Sequence, residues 1–142
     1  MKVLIKKARI ISPTSPLNGQ TKDIVITGGK ISKIADDITD KADQIVEQQG
    51  LCVSAGWMDM FADFGDPGFE QKENIDTGAL AAAAGGFTDV MLIPNSNPVV
   101  DNKAQVEYIV QKAKQAPVHI HPSGAVSKGT EGKELSEIHL NA

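Results

Sequence analysis

Two short segments carry side chains that can bind metals or move protons, at spacings that a strand would bring together. Residues 58 to 68 read MDMFADFGDPG, with carboxylates at Asp59, Asp63 and Asp66. His119 and His121 stand two residues apart, and alternate residues of a strand point to one side of a sheet. Two imidazoles on one side are typical of a metal pair. The chemistry that these segments suggest is therefore metal-dependent, and the surrounding pattern decides whether either segment performs it.

The first segment belongs to a longer pattern. Small residues, Ser54 to Gly56, precede it, and the chain continues as GFEQKENIDTG over 68–78, AAAGGFT over 82–88 and PNSNP over 94–98. Together these segments resemble the dihydroorotase branch of the amidohydrolase superfamily. The resemblance runs from Val3 to about Glu137.

The resemblance implies a frame, D-x-H-x-H-x-R-x-P-G, at the end of the first strand of a (β/α)₈ barrel. In that frame the two histidines bind a divalent metal, usually zinc, and the arginine grips a substrate carboxylate. Here the histidine positions are Phe61 and Asp63, and the arginine position is Gly65. Phe61 has no donor atom and Gly65 has no side chain, so only Asp63 retains a potential ligand. We therefore predict no catalytic residue, no metal site and no cofactor, whereas active family members carry zinc.

Two other candidates are weighed against simpler roles. By resemblance, Asn95 is a vestigial substrate-binding residue, because the family's asparagine at this position hydrogen-bonds the substrate carboxylate. Asn95 equally suits a turn between Pro94 and Pro98. His119 and His121 lie on the predicted third strand, where the family usually carries no ligand, so we interpret them as structural.

The remaining charged residues near the motif are interpreted as structural too. Asp59 and Asp66 occupy positions of the family frame. Glu70, Lys72 and Glu73 match a charged turn, and we expect a network that holds the first loop rather than acid or base machinery.

Composition excludes several classes of function. The 142 residues are 41% hydrophobic and 23% charged, which predicts a soluble globular chain. The net charge of −4, with both signs interspersed, makes nucleic acid an unsuitable partner. The single cysteine, Cys52, allows no intramolecular disulfide, and the single arginine, Arg9, is expected to be exposed on a strand of a separate sheet. No apolar run suits a secretory signal or a membrane span, so cytoplasm is the predicted location.

Periodicity and turn residues predict an α/β chain in two parts. Residues 1–55 carry strands at 3–11, 23–27, 30–34, 44–48 and 51–53, including a hairpin turning at Gly28-Gly29. Residues 56–142 carry strands at 58–64, 87–93 and 118–121 and helices at 74–84 and 101–115, with Asp101 as an N-cap. By resemblance, the first part is a small N-terminal β-sandwich, and the second is the beginning of an amidohydrolase (β/α)₈ TIM barrel.

The number of residues limits how much of that fold is expected. A complete barrel needs about 250 residues, so we expect a partial barrel, with the later strands and their metal ligands beyond residue 142. Three strands would leave the apolar faces of residues 87–93 and 118–120 only partly covered, which favours association.

Two hypotheses of function follow. The favoured one is a catalytically silent dihydroorotase homologue that acts as a partner or scaffold in pyrimidine biosynthesis. The resemblance suggests aspartate carbamoyltransferase as the partner, and exposed strand edges suggest a homo-oligomer. The alternative is an N-terminal fragment of an active dihydroorotase, a cyclic amidohydrolase that interconverts dihydroorotate and N-carbamoyl-aspartate.

Overall fold

The computed structural model describes residues 1–137. The chain divides into two compact units, Met1–Ala55 and Gly56–Ala142. Each unit has its own sheet and its own core.

The first unit is a five-stranded sheet. Its strands are β1 (Lys2–Ile11), β2 (Thr21–Thr27), β3 (Lys30–Ala35), β4 (Gln44–Glu47) and β5 (Cys52–Ser54). The order is β3-β2-β1-β4, and β5 also pairs with β1. Antiparallel pairing joins β1 to β2 and β2 to β3, whereas β4 and β5 run parallel to β1. These strands confirm the predicted hairpin and the predicted N-terminal β-sheet.

A buried carboxylate organises the core of this unit. Leu4, Val25 and Ile38 form one apolar cluster beside it. Asp23 is 1% exposed, accepts hydrogen bonds from the Lys7 and Ile38 backbone N–H groups at 2.8 and 2.9 Å, and pairs with the Lys6 ammonium at 2.8 Å. Burial raises the pKa of Asp23, but the bonds from Lys6 and the two N–H groups outweigh it and lower the pKa to about 2.

The second unit is a β-α-β-α-β segment with parallel strands, as predicted. It contains β6 (Trp57–Ala62), α1 (Ile75–Ala84), β7 (Phe87–Leu92), α2 (Lys103–Lys112) and β8 (His119–Pro122), with 3₁₀ turns at Ala113–Gln115 and Lys128–Thr130. The sheet order is β6-β7-β8, and both pairings are parallel. The helices cover a core that includes Ile75, Ala79, Val90, Leu92 and Ile109.

The predicted N-cap of α2 was wrong. Asn102, not Asp101, precedes the helix, and its Oδ1 accepts hydrogen bonds from the Ala104 and Gln105 N–H groups at 3.0 and 3.4 Å. Asp101 instead accepts from the Gly129 N–H at 2.9 Å. Both residue types can cap a helix, so tertiary contact with the later loop decides which one does.

The apolar residues of the second and third strands of this unit are partly covered, as predicted. Val90, Leu92 and Val118 are buried at 5% exposure or less, whereas Phe87 and Ile120 are only partly buried. The prediction did not include the exposed apolar residues of β6, where Trp57, Met60 and Phe61 are 60% exposed or more. Within the described residues β6 has a neighbour on one side only, which leaves its other edge open.

Candidate functional site

Two loops meet beyond the ends of β6 and β7. The Asn97 N–H donates a 2.9 Å hydrogen bond to the Pro67 carbonyl, which ties the second loop to the first. Gly68 has φ of 98°, and a Cβ there would lie 2.1 Å from the Asn97 carbonyl oxygen. The loops can therefore approach this closely only because residue 68 has no side chain.

A cavity of about 310 Å³ opens beside these loops. Its lining residues are Asp63, Gly65, Phe69, Lys72, Glu73 and Asn95. The structure thus brings together the second histidine position of the family frame, the arginine position and the candidate substrate-binding asparagine. Phe61, the first histidine position, is 76% exposed and does not line this cavity.

Asp63 and Asn95 bind each other across the cavity. Asn95 Nδ2 donates to Asp63 Oδ2 at 3.0 Å, and the Gly65 N–H donates to Asp63 Oδ1 at 2.9 Å. One of the two amide N–H groups of Asn95 is therefore directed to a carboxylate of the protein itself. Sequence reasoning missed this pairing, because Asp63 and Asn95 are 32 positions apart.

Gly65 lines the cavity with its backbone alone. Its φ of 63° is left-handed, and a Cβ would lie 3.1 Å from both the Cβ and the carbonyl oxygen of Phe69. A side chain at this position would be strained by its backbone and crowded by Phe69.

Lys72 and Glu73, in the charged turn after the first loop, make separate contacts. Glu73 Oε1 accepts from the Asn74 N–H at 2.9 Å and from the Thr77 hydroxyl, and these bonds, Thr77 first, hold the pKa of Glu73 below its usual value. The Lys72 ammonium lies 5.0 Å above the Phe69 ring. Glu73 therefore supports the first turn of α1, while Lys72 lies over Phe69.

Asp66 is the buried centre of the first loop. The carboxylate accepts from the Lys112 ammonium at 2.6 Å, the Tyr108 hydroxyl at 3.0 Å and the Ile75 N–H at 3.1 Å. Burial raises the pKa of Asp66, but these bonds, led by Lys112, outweigh it and hold the pKa below its ordinary value. Asp66 thus joins the loop to both helices, a role that its position in the family frame alone did not reveal.

The two histidines lie apart from this cavity, on β8. His121 Nε2 is 2.9 Å from Asp89 Oδ1 on β7, and His119 is the register partner of Asp89. The bond with His121 is the main cause that lowers the pKa of Asp89. Within the described residues, the structure gives His121 a carboxylate partner.

The residues at the family's metal positions do not fit a zinc ion. Phe61 has no donor atom, so Asp63 is the sole potential ligand of that pair, and it accepts hydrogen bonds from Asn95 and the Gly65 N–H. In residues 1–137, no group of three His, Cys, Asp or Glu side chains is arranged to hold a metal. Arg9 lies exposed on β1, in the other unit. None of the helices described by the structure is long and apolar enough to cross a membrane.

Comparison with solved structures defines the class of fold. The L-hydantoinase from Arthrobacter aurescens matches with a TM-score of 0.71 and 23% identity, over 88% of this chain and 28% of that protein. A dihydroorotase crystal structure matches with a TM-score of 0.63 and 16% identity, over 90% of this chain and 32% of that protein. The chain thus has the fold of the N-terminal region of amidohydrolases.

Comparison with sequences defines the family. A family model described as "Dihydro-orotase-like" matches residues 50–141. The dihydroorotase of Acetivibrio thermocellus is 45% identical over 137 residues, 96% of this chain and 32% of that protein. The dihydroorotase of Geotalea daltonii is 41% identical over 140 residues, 97% of this chain and 33% of that protein. The chain belongs to the dihydroorotase-like family of the amidohydrolase superfamily, and it spans about a third of the length of these relatives.

Proposed function

We propose that this chain is a catalytically silent member of its family that acts as a partner or scaffold in pyrimidine biosynthesis. The observation that carries the proposal is the contact between Asp63 and Asn95. An aspartate at a metal-ligand position holds the amide that the family uses for substrate. Gly65 contributes no guanidinium beside them, and Phe61 contributes no imidazole.

Electrostatics supports the loss of substrate binding. Dihydroorotate and N-carbamoyl-aspartate both carry carboxylates, and the cavity presents Asp63 and Glu73 against a single ammonium, Lys72. Like charges at close range disfavour binding. The fold is retained, since both units have buried cores, so silence here means altered chemistry on an intact scaffold.

The finer architecture is part of the same proposal. We take β6, β7 and β8 to be the first three strands of a (β/α)₈ barrel, and the five-stranded sheet to be one layer of a small β-sandwich. The parallel order of the three strands and the match to amidohydrolase structures support this assignment.

The assay that tests silence is the interconversion of dihydroorotate and N-carbamoyl-aspartate, with zinc added and the Acetivibrio thermocellus relative as the positive control. We expect no turnover above buffer from the purified chain. Turnover that a chelator abolishes, and that survives repeated purification, would overturn the proposal.

The partner is proposed as aspartate carbamoyltransferase or a second copy of the chain. The exposed residues Trp57, Met60 and Phe61 on the open strand β6 support association of some kind. Sedimentation of the chain alone, and then mixed with the aspartate carbamoyltransferase of its own organism, separates the two partners. A monomer in both experiments would contradict the scaffold role.

One observation favours a second candidate, an N-terminal part of a working dihydroorotase. The identity of 45% to a protein called dihydroorotase is high, yet it covers only 32% of that protein. The discriminating measurement is zinc-dependent activity of the protein encoded by the whole gene, compared with a Phe61→Ala variant. Activity would favour this candidate over silence.

A further inference from the structure

One face of the three-stranded sheet carries two histidines that belong neither to the cavity nor to the family's metal positions. His119 and His121 are exposed and stand two residues apart on β8, so their imidazoles project from the same face. On the neighbouring strand β7, Asp89 pairs in register with His119, and Met91 pairs with His121. Register partners lie side by side, with their strands about 4.8 Å apart. The two imidazoles, the carboxylate and the thioether therefore form one cluster.

This cluster lies on the sheet face that the helices do not cover. Val90 and Leu92, which alternate with Asp89 and Met91 along β7, are buried in the core with residues of α1 and α2. Met91 is partly buried, and the side chain of His121 is 49% exposed. An ion in solution can therefore reach the cluster without any change in the packing of the core.

The contact between His121 and Asp89 prepares His121 to bind a metal. An ionised carboxylate only accepts hydrogen bonds, so His121 Nε2, which lies 2.9 Å from Asp89 Oδ1, carries the proton. In the neutral ring, Nδ1 then keeps its lone pair. Metal-binding histidines almost always donate their other N–H to a carboxylate, a carbonyl or water, which fixes the ring and raises its basicity. Asp89 supplies this contact.

The thioether decides which metal suits the cluster. Among the described residues, no three His, Cys, Asp or Glu side chains are arranged to hold an ion, so zinc lacks a complete set of its usual ligands. Met91 adds a sulfur donor that is outside zinc's usual set. Soft thioether sulfur selects Cu(I), and imidazole also binds copper. Two imidazoles and one thioether therefore favour a soft monovalent cation.

We propose that His119, His121 and Met91 form a binding site for one soft monovalent cation of the Cu(I) class. Each imidazole contributes one nitrogen and Met91 contributes its sulfur, while Asp89 orients His121 without binding the ion. This inference goes beyond the silent-homologue proposal and does not depend on it, since either a silent or an active protein can bind an ion on this face.

Ag(I) is the probe, because it shares the charge and the soft character of Cu(I) and needs no reductant. The exposed thiol of Cys52 would also bind it, so every titration uses the full chain with Cys52→Ser. The methionine methyl groups carry ¹³C, and silver nitrate is added in chloride-free buffer. We expect saturation at one Ag(I) per chain and a new position for the Met91 methyl resonance. The resonance of Met1, which is exposed in the other unit, is the internal control and should not move.

Variants in the same background locate the ligands, and isothermal titration calorimetry measures their affinity. Losing an outer carboxylate partner typically weakens metal binding by about 10–100-fold, so Asp89→Ala should cost about tenfold. Removing a ligand should cost at least as much, in Met91→Leu as in His119→Ala and His121→Ala.

The matched control is Met58→Leu. It removes a thioether from β6, which β7 separates from β8, and should leave the affinity unchanged. Zinc should bind at least about tenfold more weakly than Ag(I), because the site has a soft donor in place of a third hard ligand.

Several results would overturn the proposal. A Met91 methyl resonance that stays in place while Ag(I) saturates would exclude the thioether, and binding that never saturates would exclude a site. Unchanged affinity in His119→Ala and His121→Ala, with an intact fold by circular dichroism, would exclude the imidazoles. Zinc that binds as tightly as Ag(I) would contradict the soft character of the site. If a ligand variant does not fold, the methyl resonances of the Cys52→Ser chain still decide.

Discussion

Removing the Asp66 carboxylate tests whether the first loop is held by its link to the two helices. The Asp66 side chain is fully buried, and the Lys112 side chain that pairs with it at 2.6 Å is 31% exposed. The substitution Asp66→Ala removes the acceptor from Lys112, from the Tyr108 hydroxyl and from the Ile75 N–H together.

The expected loss follows from these contacts. Breaking a buried ion pair by deleting one partner typically costs 3–5 kcal/mol. Lys112 is partly exposed, so its ammonium can be hydrated once Asp66 is removed. The expected cost is therefore at the lower end of this range. We expect Asp66→Ala to lower the free energy of unfolding by about 3 kcal/mol, and Tyr108→Phe, which loses one hydrogen bond, by about 1 kcal/mol.

Urea unfolding followed by circular dichroism measures both losses. The matched control is a double-mutant cycle with Lys112→Met, because residues in one network do not add independently. The double variant should be more stable than the sum of the two single losses predicts, by at least about 1 kcal/mol. A loss below about 1 kcal/mol for Asp66→Ala, or strict additivity in the cycle, would refute the reasoning.

Three other predictions follow from single contacts. Gly65→Ala and Gly65→Arg should each destabilise the fold by about 1–3 kcal/mol, because residue 65 has a positive φ that these residues rarely adopt. Gly65→Asn should cost less, because asparagine tolerates positive φ. The urea midpoints of the three variants measure these losses. Gly68→Ala should be at least as costly in thermal melts, since its Cβ would lie 2.1 Å from the Asn97 carbonyl oxygen, and an unchanged melting temperature would contradict it. The pKa of Asp23 is about 2 in the folded chain against an ordinary value of 3.8, so its ionised form adds about 2 kcal/mol to the free energy of unfolding. This stability is present above pH 4 and is lost as pH falls towards 2. In Asp23→Asn, the urea midpoint should therefore change less between pH 4 and pH 2 than in the unaltered chain.

Much of the fold could be predicted because local signals and burial agree. The alanine-rich run that ends at Gly85 predicted α1, and Asn74 caps it by accepting from the Thr77 N–H at 3.0 Å. The alternating residues on either side of Gly28-Gly29 predicted the β2–β3 hairpin. The helix cap and the hairpin are formed by residues close in sequence, so local sequence patterns are enough to predict them.

The candidate site was predictable only in part, because its contacts join distant positions. The resemblance to the family identified Asp63, Gly65 and Asn95, but not that Asn95 donates to Asp63. Asp66 was predicted only as a frame position, whereas three donors 9 to 46 positions away make it a buried centre. Such arrangements follow from how the helices pack on the sheet, which periodicity does not specify.

Zinc content of the purified chain tests the central claim most directly, namely that the first strand of this family member has lost its metal site. The chain is dialysed against zinc at neutral pH beside the Acetivibrio thermocellus relative, and bound metal is measured by mass spectrometry. We predict well below one zinc per chain, with no change in the Asp63→Asn variant. One tightly bound zinc per chain that disappears in Asp63→Asn, but persists when His119 and His121 are replaced by alanine, would contradict the account.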